Sequence, residues 1–389
     1  MIPAHMSNER PMSVNVSEFA PGVLPTGRLS HLVRAASGLG NVPESWAEYV
    51  AETEHGFPNE GEFRLFPLVA ENLGPAIDVP RAIWLTEATG WAKARSKRIR
   101  EAQKLFEPIV AESGIRIVWT KGTALANRVY CRHHLRPSGD LDAICNWNDL
   151  PEISKLAARE GWEQKAGKVG TGRERRYIEK EFGWTLPGNI GIDLSWMPRP
   201  TFVFDNFLID RIMADAAQTP GPVSYAGADW LLIEAIEHGL MANKIWPIRW
   251  LVDAIEIIRT NTINWEFILE VALRYKIEAI IFCGLETITK FYPGVPQNVL
   301  DTLARHSPEP FAIDEFRARV SVEDLRENTL TNRRYNLMRR APDRIYRQIT
   351  SSPLALDGGQ SLRLRGGIAL RNLRVGLRWP LGVRLPKIS

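Results

Sequence analysis

The sequence has only three cysteines, Cys131, Cys145 and Cys283, too few and too scattered for a disulfide framework. That argues for a reducing compartment, read as the cytoplasm. No apolar run is long enough to cross a bilayer: the longest, around Ala279 to Leu285, falls far short of the roughly 20 residues a span requires. The first thirty residues, with Asn8, Glu9, Arg10, Pro11, Ser13 and Asn15, lack the apolar core of a secretion signal. Also missing are a Gly-x-Gly-x-x-Gly fingerprint, a Walker loop, a nucleophile elbow and a kinase loop set, which argues against dinucleotide, P-loop, serine-hydrolase and kinase chemistry. Cys131, His133 and His134 have no second ligand pair at zinc spacing.

What is present is an ordinary globular composition. At 389 residues, 44% hydrophobic and 24% charged, the chain can bury a core, and its length allows two or three compact units. The charge is uneven. Lys plus Arg number 49 against 45 Asp plus Glu, yet from Thr331 to Ser389 there are thirteen basic and two acidic residues. This basic C-terminal region suits an anionic partner, such as nucleic acid or a membrane surface, or serves as a solvated tail.

Periodicity divides the chain. Residues 1–28 read as a flexible leader and 29–110 as a helical region, in which Ile83, Leu85, Ala88, Trp91, Ala92, Ala102 and Leu105 recur at helix-like intervals. Between 111 and 200 strands dominate. Ile115, Ile117 and Trp119 alternate with Arg116, Val118 and Thr120, and further strands are expected at Asp140–Asn146, Trp162–Lys165, Arg173–Glu179 and Ile190–Trp196. Helices are expected at Ala124–Tyr130 and at Asp149–Gly161, the latter capped by Asn148 or Asp149. From 201 to 300 the pattern is helical again, with Asn264 capping one helix, and 301–389 is the basic region. The fold class is α+β, a mixed sheet core with helical N-terminal and C-terminal regions.

The chemistry concentrates in Arg136-Pro137-Ser138-Gly139-Asp140-Leu141-Asp142. On a strand, residues two apart share a face, so Asp140 and Asp142 project together. Their mutual repulsion is relieved by a cation, and hard oxygen ligands suit Mg²⁺ or Mn²⁺. Asp193, alternating with Ile192 and Leu194, adds a third carboxylate from another strand. Three carboxylates around divalent ions can clamp a polyphosphate and activate an attacking hydroxyl. Lys121-Gly122-Thr123, between a strand and a helix, offers a cation, backbone N–H groups and a hydroxyl for phosphate oxygens. Arg136 either neutralises pyrophosphate or forms a structural salt bridge. Trp250 and Asp253 fit a fold-stabilising tether or a substrate wall, and His238 fits interhelical packing or the active site.

Together these residues resemble the uncharacterised nucleotidyltransferase-like proteins of the DNA polymerase β type superfamily. The likeness rests on Lys121-Gly122-Thr123-Ala124-Leu125, Tyr130, the run from Arg136 to Asp142, Ile192-Asp193-Leu194 with Trp196, Arg249-Trp250-Leu251-Val252-Asp253 and Asn264-Trp265-Glu266, and spans roughly Phe63 to Leu300. The resemblance implies a nucleotidyltransferase-type fold. It also implies Asp140 and Asp142 as metal ligands, Asp193 as a third ligand or base, and Lys121, Gly122 and Thr123, with Arg136 and Ser138, around a bound nucleoside triphosphate such as ATP. The expected reaction is attack by an acceptor hydroxyl or phosphate of a small molecule, sugar or modified peptide on the α-phosphorus. The alternatives are a non-catalytic nucleotide- or partner-binding protein and an enzyme that modifies RNA or protein.

Overall fold

The computed structural model describes residues 24–53, 58–74, 78–164, 181–186, 188–196, 206–216, 223–241, 248–275 and 277–306. The leader up to residue 23, the expected strand Arg173–Glu179 and the basic C-terminal region lie outside the described residues. Among the described residues five helices come first: α1 (Arg28–Ala36), α2 (Val42–Ala51), α3 (Glu60–Phe63), α4 (Phe66–Leu73) and α5 (Ala82–Ser113). Asn41 and Asn59 cap α2 and α3, accepting from the backbone N–H of Glu44 and Glu62.

Helix α5 is the longest element, 32 residues ending at the left-handed Gly114. Its buried stripe runs Leu85, Ala88, Ala92, Ser96, Ile99, Gln103, Phe106, Val110 at steps of three or four, with the expected Ala102 buried beside Gln103. Three apolar residues expected on that stripe are off it: Ile83 is 59% exposed, Leu105 54% and Trp91 37%. Ile83 and Leu105 fall out of phase with the three-and-four step, and Trp91, three residues after Ala88, lies at the edge of the stripe. The buried polar residues Ser96 and Gln103 keep the phase instead. Gln103 donates to Glu107 and to the Tyr225 hydroxyl, and the Trp119 indole donates to Glu107, which ties α5 to the sheet.

The sheet has six strands: β1 (Ile117–Trp119), β2 (Leu141–Cys145), β3 (Glu163–Gln164), β4 (Glu181–Leu186), β5 (Ile190–Ser195) and β6 (Val223–Tyr225). Their order is β3-β4-β5-β2-β1-β6, with β2–β5 and β1–β6 parallel and the other pairs antiparallel. The fold is therefore α+β on a mixed sheet. The strand expected from the alternation of Ile117 and Trp119 with Val118 forms as β1, and all three are buried. Both faces of the sheet are covered. Leu141, Ala143 and Cys145 pack with Ile192, Leu194, Phe106 and Ile153, whereas Val118 and Ile144 join the larger core of the terminal helices.

Between the strands lie α6 (Lys121–Arg128), α7 (Leu150–Arg159) and α8 (Asn206–Ala216). Asp149 precedes α7 as expected, but with helical backbone angles and no capping hydrogen bond from its side chain. After β6 come α9 (Ala228–Met241), α10 (Arg249–Thr260), α11 (Trp265–Arg274), α12 (Glu278–Thr289) and α13 (Gln297–Arg305). Asn264 caps α11, accepting from Phe267 N at 3.1 Å. The larger core joins Leu32, Trp46 and Phe66 of the N-terminal helices to Ile236, Leu251 and Ile281 near the C-terminal end. Among the described residues no helix is long and apolar enough to cross a membrane.

Candidate active site

Asp142 occupies β2 between Leu141 and Ala143, which face the smaller core. Alternation turns Asp142 the other way, toward α6 and α9. The turn before β2 places Asp140 on the same side, and both carboxylates line one cleft of about 310 Å³. That volume lies at the small end of ligand pockets. The walls come from α6 (Lys121, Gly122, Leu125), from the turn carrying Ser138 and Gly139, and from one face each of α9 and α10. The apolar stripe of α9 is thus shared: Ala235, Gly239 and the buried Leu231 line the cleft, and Leu231 also joins Leu232, Ile236 and Leu240 in the core.

The Lys121-Gly122 turn is held at three points. Lys121 has φ 45°, a left-handed conformation uncommon for a side chain of this size. Its Nζ lies 2.5 Å from Asp142 Oδ1, and its backbone N–H donates to Glu234 Oε2 at 2.9 Å. The same Glu234 oxygen accepts from the Thr120 hydroxyl. Gly122 has no room for a side chain, since a Cβ there would lie 2.5 Å from Ser138 Oγ. Ser138 donates to the Asp140 carbonyl at 2.9 Å. From α5, Arg95 grips the carbonyls of Ser138 and Gly139 at 3.0 and 2.6 Å. These contacts fix where Asp140 enters the cleft.

Arg136 is buried, and its Nε meets both oxygens of Asp253 at 2.8 Å. Tyr130 donates to the same carboxylate at 2.7 Å, and burial beside Asp253 pushes its phenol pKa well up. Arg136 therefore forms the structural salt bridge, with Asp253 the tether between α10 and the loop before β2. Arg249 donates to the Pro137 carbonyl at 3.0 Å.

Of the sequence-derived site residues, Lys121, Gly122, Arg136, Ser138, Asp140 and Asp142 line the cleft together, joined by His238. Asp193 pairs with Asp142 in parallel register, one strand away and half-buried, outside the cleft lining. Thr123 points inward: it is 1% exposed, with a hydroxyl that meets no hydrogen-bond partner. His133 and His134 sit in a short turn outside the cleft lining, and burial with nearby Arg100 and Lys93 holds them below the usual imidazole pKa. Cys131 is exposed beside them, and Cys145 and Cys283 are buried.

Glu234, Arg95, Arg64 and Arg249 were not singled out by sequence reasoning as site residues. Glu234 sits within a helix of apolar residues, a signal that a buried carboxylate has a task there. Arg95 and Arg64 carry no such signal.

A family model described as an uncharacterised nucleotidyltransferase matches residues 62–293, well over half of the chain. The chain belongs to this uncharacterised nucleotidyltransferase family. The matched span contains the sheet, the cleft and helices α9 to α12, and agrees closely with the span of the resemblance. No curated protein matches, and no solved structure matches.

The donor chemistry of the cleft fits a hard divalent ion at two positions, Asp140 and Asp142. A three-ligand cage is not preassembled: among the described residues no three His, Cys, Asp or Glu side chains gather closely enough to hold one ion. The Lys121 ammonium balances Asp142 in its place.

Proposed function

We propose that the cleft transfers a nucleoside monophosphate from a nucleoside triphosphate to a hydroxyl or phosphate of an acceptor, a small molecule, sugar or modified peptide. The observation that carries this reading is the meeting of Asp140 and Asp142 with Lys121 and the glycine turn at the mouth of α6 in one cleft. Carboxylates and a lysine beside a helix N-terminus form a charge arrangement suited to a polyphosphate.

Asp140 and Asp142 would hold Mg²⁺ or Mn²⁺, which supplies charge neutralisation for the triphosphate and the attacking oxygen. Lys121 can exchange its Asp142 partner for a phosphate oxygen at little electrostatic cost, because the ammonium keeps an anionic neighbour throughout. Asp193, one strand from Asp142, would act from the acceptor side as third ligand or general base. Glu234 already occupies the Lys121 N–H. Phosphate would therefore be held through the Lys121 ammonium rather than through that N–H.

Transfer is tested with the four α-labelled nucleoside triphosphates, Mg²⁺ and fractionated pools of small molecules, peptides and RNA. Label entering one pool with the wild-type chain and none with Asp142→Asn supports the reading and names the acceptor class. Equal labelling by Asp142→Asn, or no labelling of any pool, contradicts it.

A further inference from the structure

Three guanidiniums reach the cleft from separate segments: Arg64 after α3, Arg136 in the loop before β2, and Arg249 at the start of α10. Asp253 accepts from Arg136 and lies near Arg249, while Arg64 is paired with Glu60. Arg136 engages Asp253 through Nε, leaving its terminal nitrogens one long contact of 3.4 Å to the Pro137 carbonyl. Arg249 makes one hydrogen bond among the described residues, to that same carbonyl, and no ion pair. Arg64 meets Glu60 through Nη2, while its Nε is buried without an acceptor. Arg136 is buried and Arg64 and Arg249 are half-buried; buried N–H groups are normally bonded, so the Arg64 Nε without an acceptor is costly to the fold alone. Burial, with Arg136 and Arg64 nearby, pushes the Arg249 pKa down to about 9, so the group is still charged at neutral pH.

We propose that the arginine side of the cleft is a phosphate subsite, in which Arg249, the terminal nitrogens of Arg136 and the Arg64 guanidinium bind one phosphoryl group. The planar fork of a guanidinium matches two phosphate oxygens, and an anion there supplies the counter-charge that the fold withholds. The proposal extends the transfer reading, since it uses the same cleft, but it requires no turnover. The phosphoryl group belongs either to the nucleotide's polyphosphate tail or to a phosphorylated acceptor.

Metal-free calorimetry on the full chain tests this with pyrophosphate, ATP and glycerol 3-phosphate as probes. At least one probe should bind the wild-type chain and raise its Tm. Arg249→Gln should weaken that probe by about tenfold to a hundredfold, as expected for lost charge-assisted hydrogen bonds. Arg249→Lys should fall between, and Arg64→Gln should weaken binding in the same direction. The folded state should tolerate Arg249→Gln, because the change removes a charge that has no ion-pair partner; Arg64→Gln gives a second reading should it not. Parallel losses for ATP and pyrophosphate assign the subsite to the nucleotide tail. Loss for glycerol 3-phosphate with ATP unchanged assigns it to the acceptor. Wild-type affinity for every probe in both Gln variants, or no probe binding the wild-type chain, overturns the proposal. Failure of the transfer reading looks different: no label is transferred with Mg²⁺, yet phosphate binding remains sensitive to Arg249.

Discussion

Lys121 illustrates how a single residue is conditioned by its neighbours. Its backbone is held in the left-handed region, which costs of order 1–3 kcal/mol for a residue other than glycine. The Glu234 cap and the Asp142 ion pair offset that strain. Lys121→Ala should weaken Mg²⁺-dependent triphosphate binding by about tenfold to a hundredfold with little change in fold, measured by calorimetry. Unchanged affinity would move the phosphate contact elsewhere. Asp193→Asn should spare nucleotide binding and lower the single-turnover transfer rate, because the residue stands one strand away from the cleft lining. A normal rate would remove it from the chemistry.

Helix α6 is the element on which the site turns. Its first N–H is satisfied from outside the helix, by Glu234 on α9, and the Trp230 indole adds a 3.3 Å contact to the Thr120 hydroxyl that shares this carboxylate. Glu234→Ala should cost about 0.5–2 kcal/mol of stability through the lost cap, read from chemical denaturation. It should also weaken nucleotide binding, because Lys121 loses its backbone anchor; normal binding in a destabilised variant would reduce Glu234 to a purely structural role. Much of this region was legible beforehand. Asp142 takes its face from the period of β2, Asp140 joins it from the turn just before the strand rather than from the strand expected to begin there, the parallel register brings Asp193 beside Asp142, and Asn264 caps the expected helix. Other parts were not. Three-residue β6 is too short to show a period, and the alternation of Phe182, Trp184 and Leu186 in β4 is diluted by Gly183. Arg95 grips a loop 43 residues away in sequence, and no local pattern encodes so distant a partner.

At the scale of the whole molecule, the sheet separates two cores, and the cleft opens on the side of the terminal helices. Close packing of α9 on α10 shapes that side. Gly239 faces Trp250, and a Cβ there would lie 2.2 Å from the indole Cγ. Gly239→Ala should therefore destabilise the fold by about 1–3 kcal/mol through overpacking, visible as a lowered denaturation midpoint. An unchanged midpoint would show that the two helices can part without cost. The central claim is that the Asp140 and Asp142 cleft binds a metal–nucleoside triphosphate complex. Its most direct test is calorimetric titration of the four nucleoside triphosphates, with and without Mg²⁺, into the wild-type chain and into Asp140→Asn and Asp142→Asn. The account predicts Mg²⁺-dependent binding of at least one triphosphate by the wild-type chain and loss of the metal dependence in both variants. Binding that ignores Mg²⁺, or that survives unchanged in both variants, would contradict it.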